Sequence, residues 1–102
     1  MQRVTQINDL PRQAQTIDTV KVHGPQQCPQ CDATLAFLKD KTPAEKVVLK
    51  PETELYTTIV RTLGYRQAPV VFVEIDGKTY HWGGHRIDLL LRLNALRTQA
   101  ES

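Results

Sequence analysis

The chain has 102 residues, 13 Lys+Arg against 11 Asp+Glu for a net charge of +2, 40% apolar residues and two cysteines. That size gives one domain with a small core and excludes a large multidomain enzyme. The near-balanced charge, spread along the chain, leaves no nucleic-acid footprint, and the apolar runs fall far short of the roughly 18 residues of a membrane span. The N-terminus lacks the apolar stretch of a signal peptide, so a soluble, cytoplasmic monomer that engages neither nucleic acid nor membrane is the expectation.

Residues 1–16 read as an N-terminal extension. Four glutamines (Gln2, Gln6, Gln13, Gln15) and Pro11 break any long helix, although Val4, Ile7 and Leu10 are spaced for one packed turn. Nothing in the pattern requires order there. The domain proper is 17–102. Thr19 to His23 alternates and is β-branched, as a strand requires, and Gly24-Pro25 ends it. From Pro29 to Lys41 the spacing of Ala33, Leu35, Phe37 and Leu38 predicts a helix with Pro29 in its first turn.

Ala44 to Leu49 is a second strand. A helix opening at Pro51 and Glu52 carries Leu55, Ile59 and Leu63 at every fourth position and ends at Gly64. Val70 to Val73 is the continuous apolar run of a strand covered on both faces. Asp76-Gly77 turns it into an antiparallel partner, Thr79 to Trp82, and Gly83-Gly84 breaks that strand. Ile87, Leu90, Leu91 and Leu96 then predict a last amphipathic helix over 85–98. The order β-α-β-α-β-β-α needs a parallel crossover followed by an antiparallel hairpin. It predicts an α/β domain of thioredoxin-like fold, with a four-stranded mixed sheet flanked by three helices.

Both cysteines fall in Cys28-Pro29-Gln30-Cys31, where the first strand turns into the first helix. The helix start offers unpaired N–H groups and the positive dipole end, both of which favour a thiolate and can draw a thiol from about 8.5 toward 7 or lower. Cys28, exposed at the turn, is the expected nucleophile and the more buried Cys31 the resolving thiol. Two other readings exist. The pair could be half of a zinc site completed by two of His23, His81 and His85, but Gly83-Gly84 and a change of element separate the last two. It could also be a permanent disulfide, although so short a loop stabilises little in a reducing compartment. The strand-to-helix context favours redox chemistry without a bound metal.

Two further turns fall beside this pair in such a layout. Ala68-Pro69 stands directly before the apolar strand, where proline is unusual unless it begins the strand or follows a cis bond. A cis bond would leave the Ala68 backbone free to pair with an extended substrate segment. Trp82 to Arg86 forms the other turn. Core packing alone would account for Trp82, and solvation alone for Arg66 and Arg86. Facing the cysteines, the two arginines would favour a thiolate and attract an acidic partner.

Over about three-quarters of its length the chain resembles the NrdH-type redoxins, glutaredoxin-sized members of the thioredoxin-like superfamily. The resemblance rests on Cys28-Pro29-Gln30-Cys31, on Leu63-Gly64-Tyr65-Arg66-Gln67-Ala68-Pro69-Val70-Val71 and on Trp82-Gly83-Gly84-His85-Arg86. It implies a dithiol electron donor to ribonucleotide reductase in deoxyribonucleotide synthesis, reduced in turn by thioredoxin reductase from NADPH and holding no cofactor of its own. Cys28 would be the nucleophile, Cys31 the resolving thiol and Pro69 the cis-proline. Pro29, Gln30, Gln67, Ala68, Trp82 and Arg86 would join Pro69 in contacting the partner. His85 departs from the aromatic residue of those redoxins, and Ile87 from their proline. The Gly83-Gly84 pair and the following Asp88 instead resemble glutaredoxins, where a Gly-Gly turn and an acidic residue help hold glutathione. Glutathione as the reductant is the alternative.

Overall fold

In a computed structural model describing residues 1–100, five strands form one sheet: β1 (Gln2–Arg3), β2 (Val20–Gly24), β3 (Ala44–Val48), β4 (Val70–Ile75) and β5 (Lys78–Gly83). Their spatial order is β1-β5-β4-β2-β3. The helices are α1 (Pro29–Leu38), α2 (Glu54–Tyr56, continued by a π-helical stretch Thr57–Thr62) and α3 (Ile87–Ala100). β2 and β3 are parallel and joined through α1, whereas β2–β4 and β4–β5 are antiparallel. This mixed α/β architecture is thioredoxin-like. Among the described residues no helix is long and apolar enough to cross a membrane.

The sheet has five strands rather than the expected four. β1 adds Gln2 beside Tyr80 and Arg3 beside His81, parallel to β5, and the Val4 N–H continues the pairing to the His81 carbonyl at 2.8 Å. Two residues carry no periodicity, so sequence pattern could not announce this strand. The rest of the segment follows it into contact. Asp9 accepts the Thr5 and Gln6 N–H groups and closes a 3-10 turn over Ile7–Asp9, which sets Val4 and Leu10 into the core at 2% and 3% exposure. Farther on, the Gln15 and Thr16 N–H groups donate to Asp76 Oδ1 at the β4–β5 turn. That turn is the two-residue hairpin that Asp76-Gly77 predicts, both residues having positive φ (50° and 82°).

The sheet is covered unequally. On one face α1, α3 and the N-terminal segment bury Val20, Val22, Val71, Val73, Tyr80 and Trp82 in the main core. On the other face a smaller cluster of Ile59, Tyr65 and Val70 lies under α2. β4 is therefore covered on both faces only at Val70; Phe72 is half-buried and Glu74 exposed.

Helix orientation differs from the predicted stripes. In α1 the buried side chains are Cys31, Thr34 and Leu38, while Ala33 is exposed. In α3 they are Leu89, Leu90, Leu93, Asn94 and Leu96, with Ile87 and Leu91 turned to solvent; the Asn94 amide is occupied by the Thr42 hydroxyl at 2.7 Å. In both helices an apolar residue stands where a polar one would serve, so composition does not single out the packed stripe. α2 begins at Glu54, three residues later than expected, because the Thr53 hydroxyl caps it by accepting the Tyr56 N–H. Its second turn widens, with the Leu63 N–H bonding back five residues to Thr58, so Leu55 no longer stacks above Ile59 and lies exposed.

Two histidines are buried on the second face. Burial holds both below the ordinary imidazole value of 6.5, with the charges of Arg3 and the amino terminus adding to the effect at His81. The unfolded chain then binds more protons than the folded one as the pH drops past that value, so stability is lost on that side. Urea-unfolding midpoints are expected to fall between about pH 7 and pH 5; a flat profile across that interval contradicts this account.

Candidate active site

Gly24, the last residue of β2, places the chain at the end of the sheet, and four residues later Cys28 caps α1. The Cys28 Sγ accepts the Cys31 N–H at 3.1 Å, taking the position that a Ser or Asp oxygen occupies at other helix starts. Pro29 follows at the first helical position, where its missing N–H leaves no bond unmade. One turn of helix brings the Cα atoms of Cys28 and Cys31 to 5.2 Å, and the two sulfurs are joined as a disulfide. Cys31 is wholly buried and Cys28 is 6% exposed. The expected order of exposure is kept, but Cys28 is far less open than a free turn would leave it. Strand and loop backbone close over it.

One of these neighbours is Gly24. A Cβ there would overlap the Cys31 sulfur and lie 3.3 Å from the Cys28 sulfur and 3.4 Å from the Ala68 Cβ. Sequence reasoning treats Gly24 only as a strand terminator. The signal that could have marked it is a glycine at a strand end just before a cysteine pair, where backbone and ligand or side chain approach closely.

The Ala68-Pro69 bond is cis. Ala68 sits against Gly24 beside the disulfide, and Pro69 is buried. The Pro69 carbonyl accepts the Gly84 N–H at 2.7 Å, tying this loop to the 83–86 turn. The amide of Gln67 lies over that glycine pair: a Cβ on Gly83 or Gly84 would be 3.4 or 3.5 Å from its Nε2. Gly84 has φ +94°, which disfavours any side chain there. A mainly apolar groove of about 430 Å³ runs from this loop under α2, lined by Pro25, Leu49, Tyr56, Val60, Arg66 and Ala68 among others.

The sequence-predicted residues divide into two groups. Cys28, Cys31, Gln67, Ala68 and Pro69 come together, with Pro29 and Gln30 exposed on the first turn of α1. Trp82 is 1% exposed within the main core, its Nε1 without a hydrogen-bond partner among the described residues, so the indole supports the site from beneath rather than lining its surface. Arg86 turns to Asp88, with Nε and Nη2 on the two carboxylate oxygens at 3.1 and 3.0 Å, and its Nη1 donates to the Thr5 carbonyl. The Arg86 hydrogen bonds hold the Asp88 carboxyl below its ordinary value.

The three histidines diverge. His23 Nδ1 donates to the Val70 carbonyl, His81 Nδ1 bonds the Tyr65 hydroxyl, and His85 Nδ1 bonds the hydroxyl of buried Thr34. Among the described residues no three side chains of the metal-ligating types gather into one group.

A helix-capping cysteine pair beside a cis-proline loop on this frame defines a thiol-disulfide redoxin. The glutaredoxin family model matches residues 17–79, more than half of the chain, and the chain belongs to that family. No curated protein and no solved structure matches it.

Replacing Gly24 by alanine is expected to cost about 1–3 kcal/mol of stability in the oxidised chain, as for overpacking elsewhere, and less after reduction, when the sulfurs can part. Urea unfolding of both redox forms measures this; equal losses in the two would sink the assigned contact.

Proposed function

We propose that the protein reduces disulfides in partner proteins, donating electrons to ribonucleotide reductase in the cytoplasm and receiving them from thioredoxin reductase and NADPH. The observation that carries the exchange chemistry is the Cys28 sulfur at the N-cap of α1, already accepting a backbone N–H. Reduced, that sulfur is a thiolate stabilised by the same N–H and by the helix dipole.

The thiolate attacks one sulfur of the partner disulfide. The Cys28–partner bond forms, the partner disulfide breaks, and its other sulfur leaves as a thiolate that takes up a proton. Cys31 then loses its proton and attacks the Cys28 sulfur. The Cys28–Cys31 bond forms, the partner's remaining sulfur leaves, and two electrons have passed to the partner. An extended partner segment would pair with the Ala68 backbone and place its side chains along the groove under α2, with Pro29, Gln30 and Gln67 at the rim.

The choice of reductant is supported by the Arg86–Asp88 ion pair. Both oxygens of the acidic residue after the Gly-Gly turn, which resembles the one that helps hold glutathione in glutaredoxins, are already taken by Arg86. Gln67-Ala68-Pro69 and the NrdH-like motifs point the same way. The family match favours the second reading, reduction by glutathione.

Cys28→Ser is expected to abolish disulfide reduction, and Cys31→Ser to accumulate a mixed disulfide visible as a mass adduct; full activity without Cys28 would overturn the mechanism. Turnover coupled to NADPH should be faster through thioredoxin reductase than through glutathione with glutathione reductase. The opposite preference selects the second reading.

A further inference from the structure

Resting on the disulfide-exchange reading above, we propose that Arg3 is a positioning residue for the loop 64–69, which makes the N-terminal strand part of the partner-binding end of the molecule. Arg3 stands beside His81 in the β1–β5 register. Its guanidinium carbon lies 4.3 Å from the Tyr65 ring centroid, and its Nη2 donates to the Leu63 carbonyl. That carbonyl belongs to the C-cap of the π-helical stretch, where backbone acceptors lack partners along the helix. One side chain therefore holds both ends of the turn that leaves α2.

Tyr65 is fixed on two further sides. Its hydroxyl is 2.6 Å from His81 Nδ1, and its ring edge packs so closely on β5 that a Cβ on Gly83 would lie 2.9 Å from Cδ1. From Tyr65 only Arg66 separates this anchor from Gln67 and Ala68, the residues beside the Gly-Gly turn and the cysteines. Anchoring residues 63 and 65 thus fixes how the backbone at 67 and 68 presents itself. The same N-terminal segment grips the neighbouring turn, where Arg86 Nη1 donates to the Thr5 carbonyl at 3.1 Å. Arg3 touches neither sulfur. Its influence falls on the geometry met by a docking partner, and it leaves the sulfur chemistry alone.

The distinguishing measurement compares two disulfides with the full chain: insulin, which must dock, in turnover with dithiothreitol, and dithionitrobenzoate, which needs no docking surface, mixed with the chain already reduced and freed of dithiothreitol. Arg3→Ala is expected to raise KM for insulin about threefold or more, the scale of one exposed cation–ring contact and one hydrogen bond. Its kcat and its rate with the small disulfide should match the wild type, and hydrogen exchange at the amides of 65–68 should quicken. Arg3→Lys keeps a cation above the ring without the guanidinium fork and should recover part of the KM. If Arg3→Ala does not fold, Tyr65→Phe keeps the ring and removes only the bond to His81; it should show the same pattern at smaller size. An unchanged KM, or an equal loss on both disulfides, overturns the proposal. A wild-type chain inert toward both disulfides overturns instead the reading on which it rests.

Discussion

The close approach of the Cys28–Cys31 disulfide to the bare backbone of Gly24 constrains everything at the functional end of the molecule. With a hydrogen in place of a side chain, the end of β2 lets both sulfurs and the Ala68 methyl converge on one point. α1 can then start a short loop beyond the strand, with the Cys31 N–H donated to the Cys28 sulfur. A bulkier residue would push α1 away from the sheet and part the cysteines from the cis-proline loop. The capping interaction, the burial of Cys31 and the position of Ala68 are therefore a single packing solution.

Around this point the two faces of the sheet do different work. The face under α1 and α3 is densely apolar and holds the disulfide from behind, Trp82 included. The face under α2 is thinner, since a single α-turn followed by a widened π turn covers only Val70 and its neighbours. The groove that runs from Gly24 and Ala68 lies along that thinner cover.

Three connections meet at the rim, and each is tied to another by backbone groups. Pro69 accepts from Gly84, Thr5 accepts from Arg86 and Leu63 accepts from Arg3. Backbone carbonyls are well suited to this, since every residue offers one and loop acceptors otherwise depend on water. The arrangement also decides how two charged residues are used. Arg86 and Asp88 satisfy each other two residues apart, whereas Arg66 stays exposed and lines the groove under α2.

The sequence by itself determined the thioredoxin-like order of elements, the Asp76-Gly77 hairpin and the cysteine pair at a helix start. Each of these rests on local physics: alternation, turn residues with positive φ, or a helix end that stabilises a sulfur anion. It did not determine which stripe of α1 and α3 would pack, because Ile87, Leu91 and Ala33 satisfy the same spacing as the residues that are buried. Only the tertiary structure decided that residues 2 and 3 form a fifth strand, that Gly24 must lack a side chain, that Trp82 lies inside and that Arg86 turns from the cysteines to Asp88 and Thr5. Those outcomes depend on contacts between residues as far as 81 positions apart. No window of sequence contains both partners of such a contact.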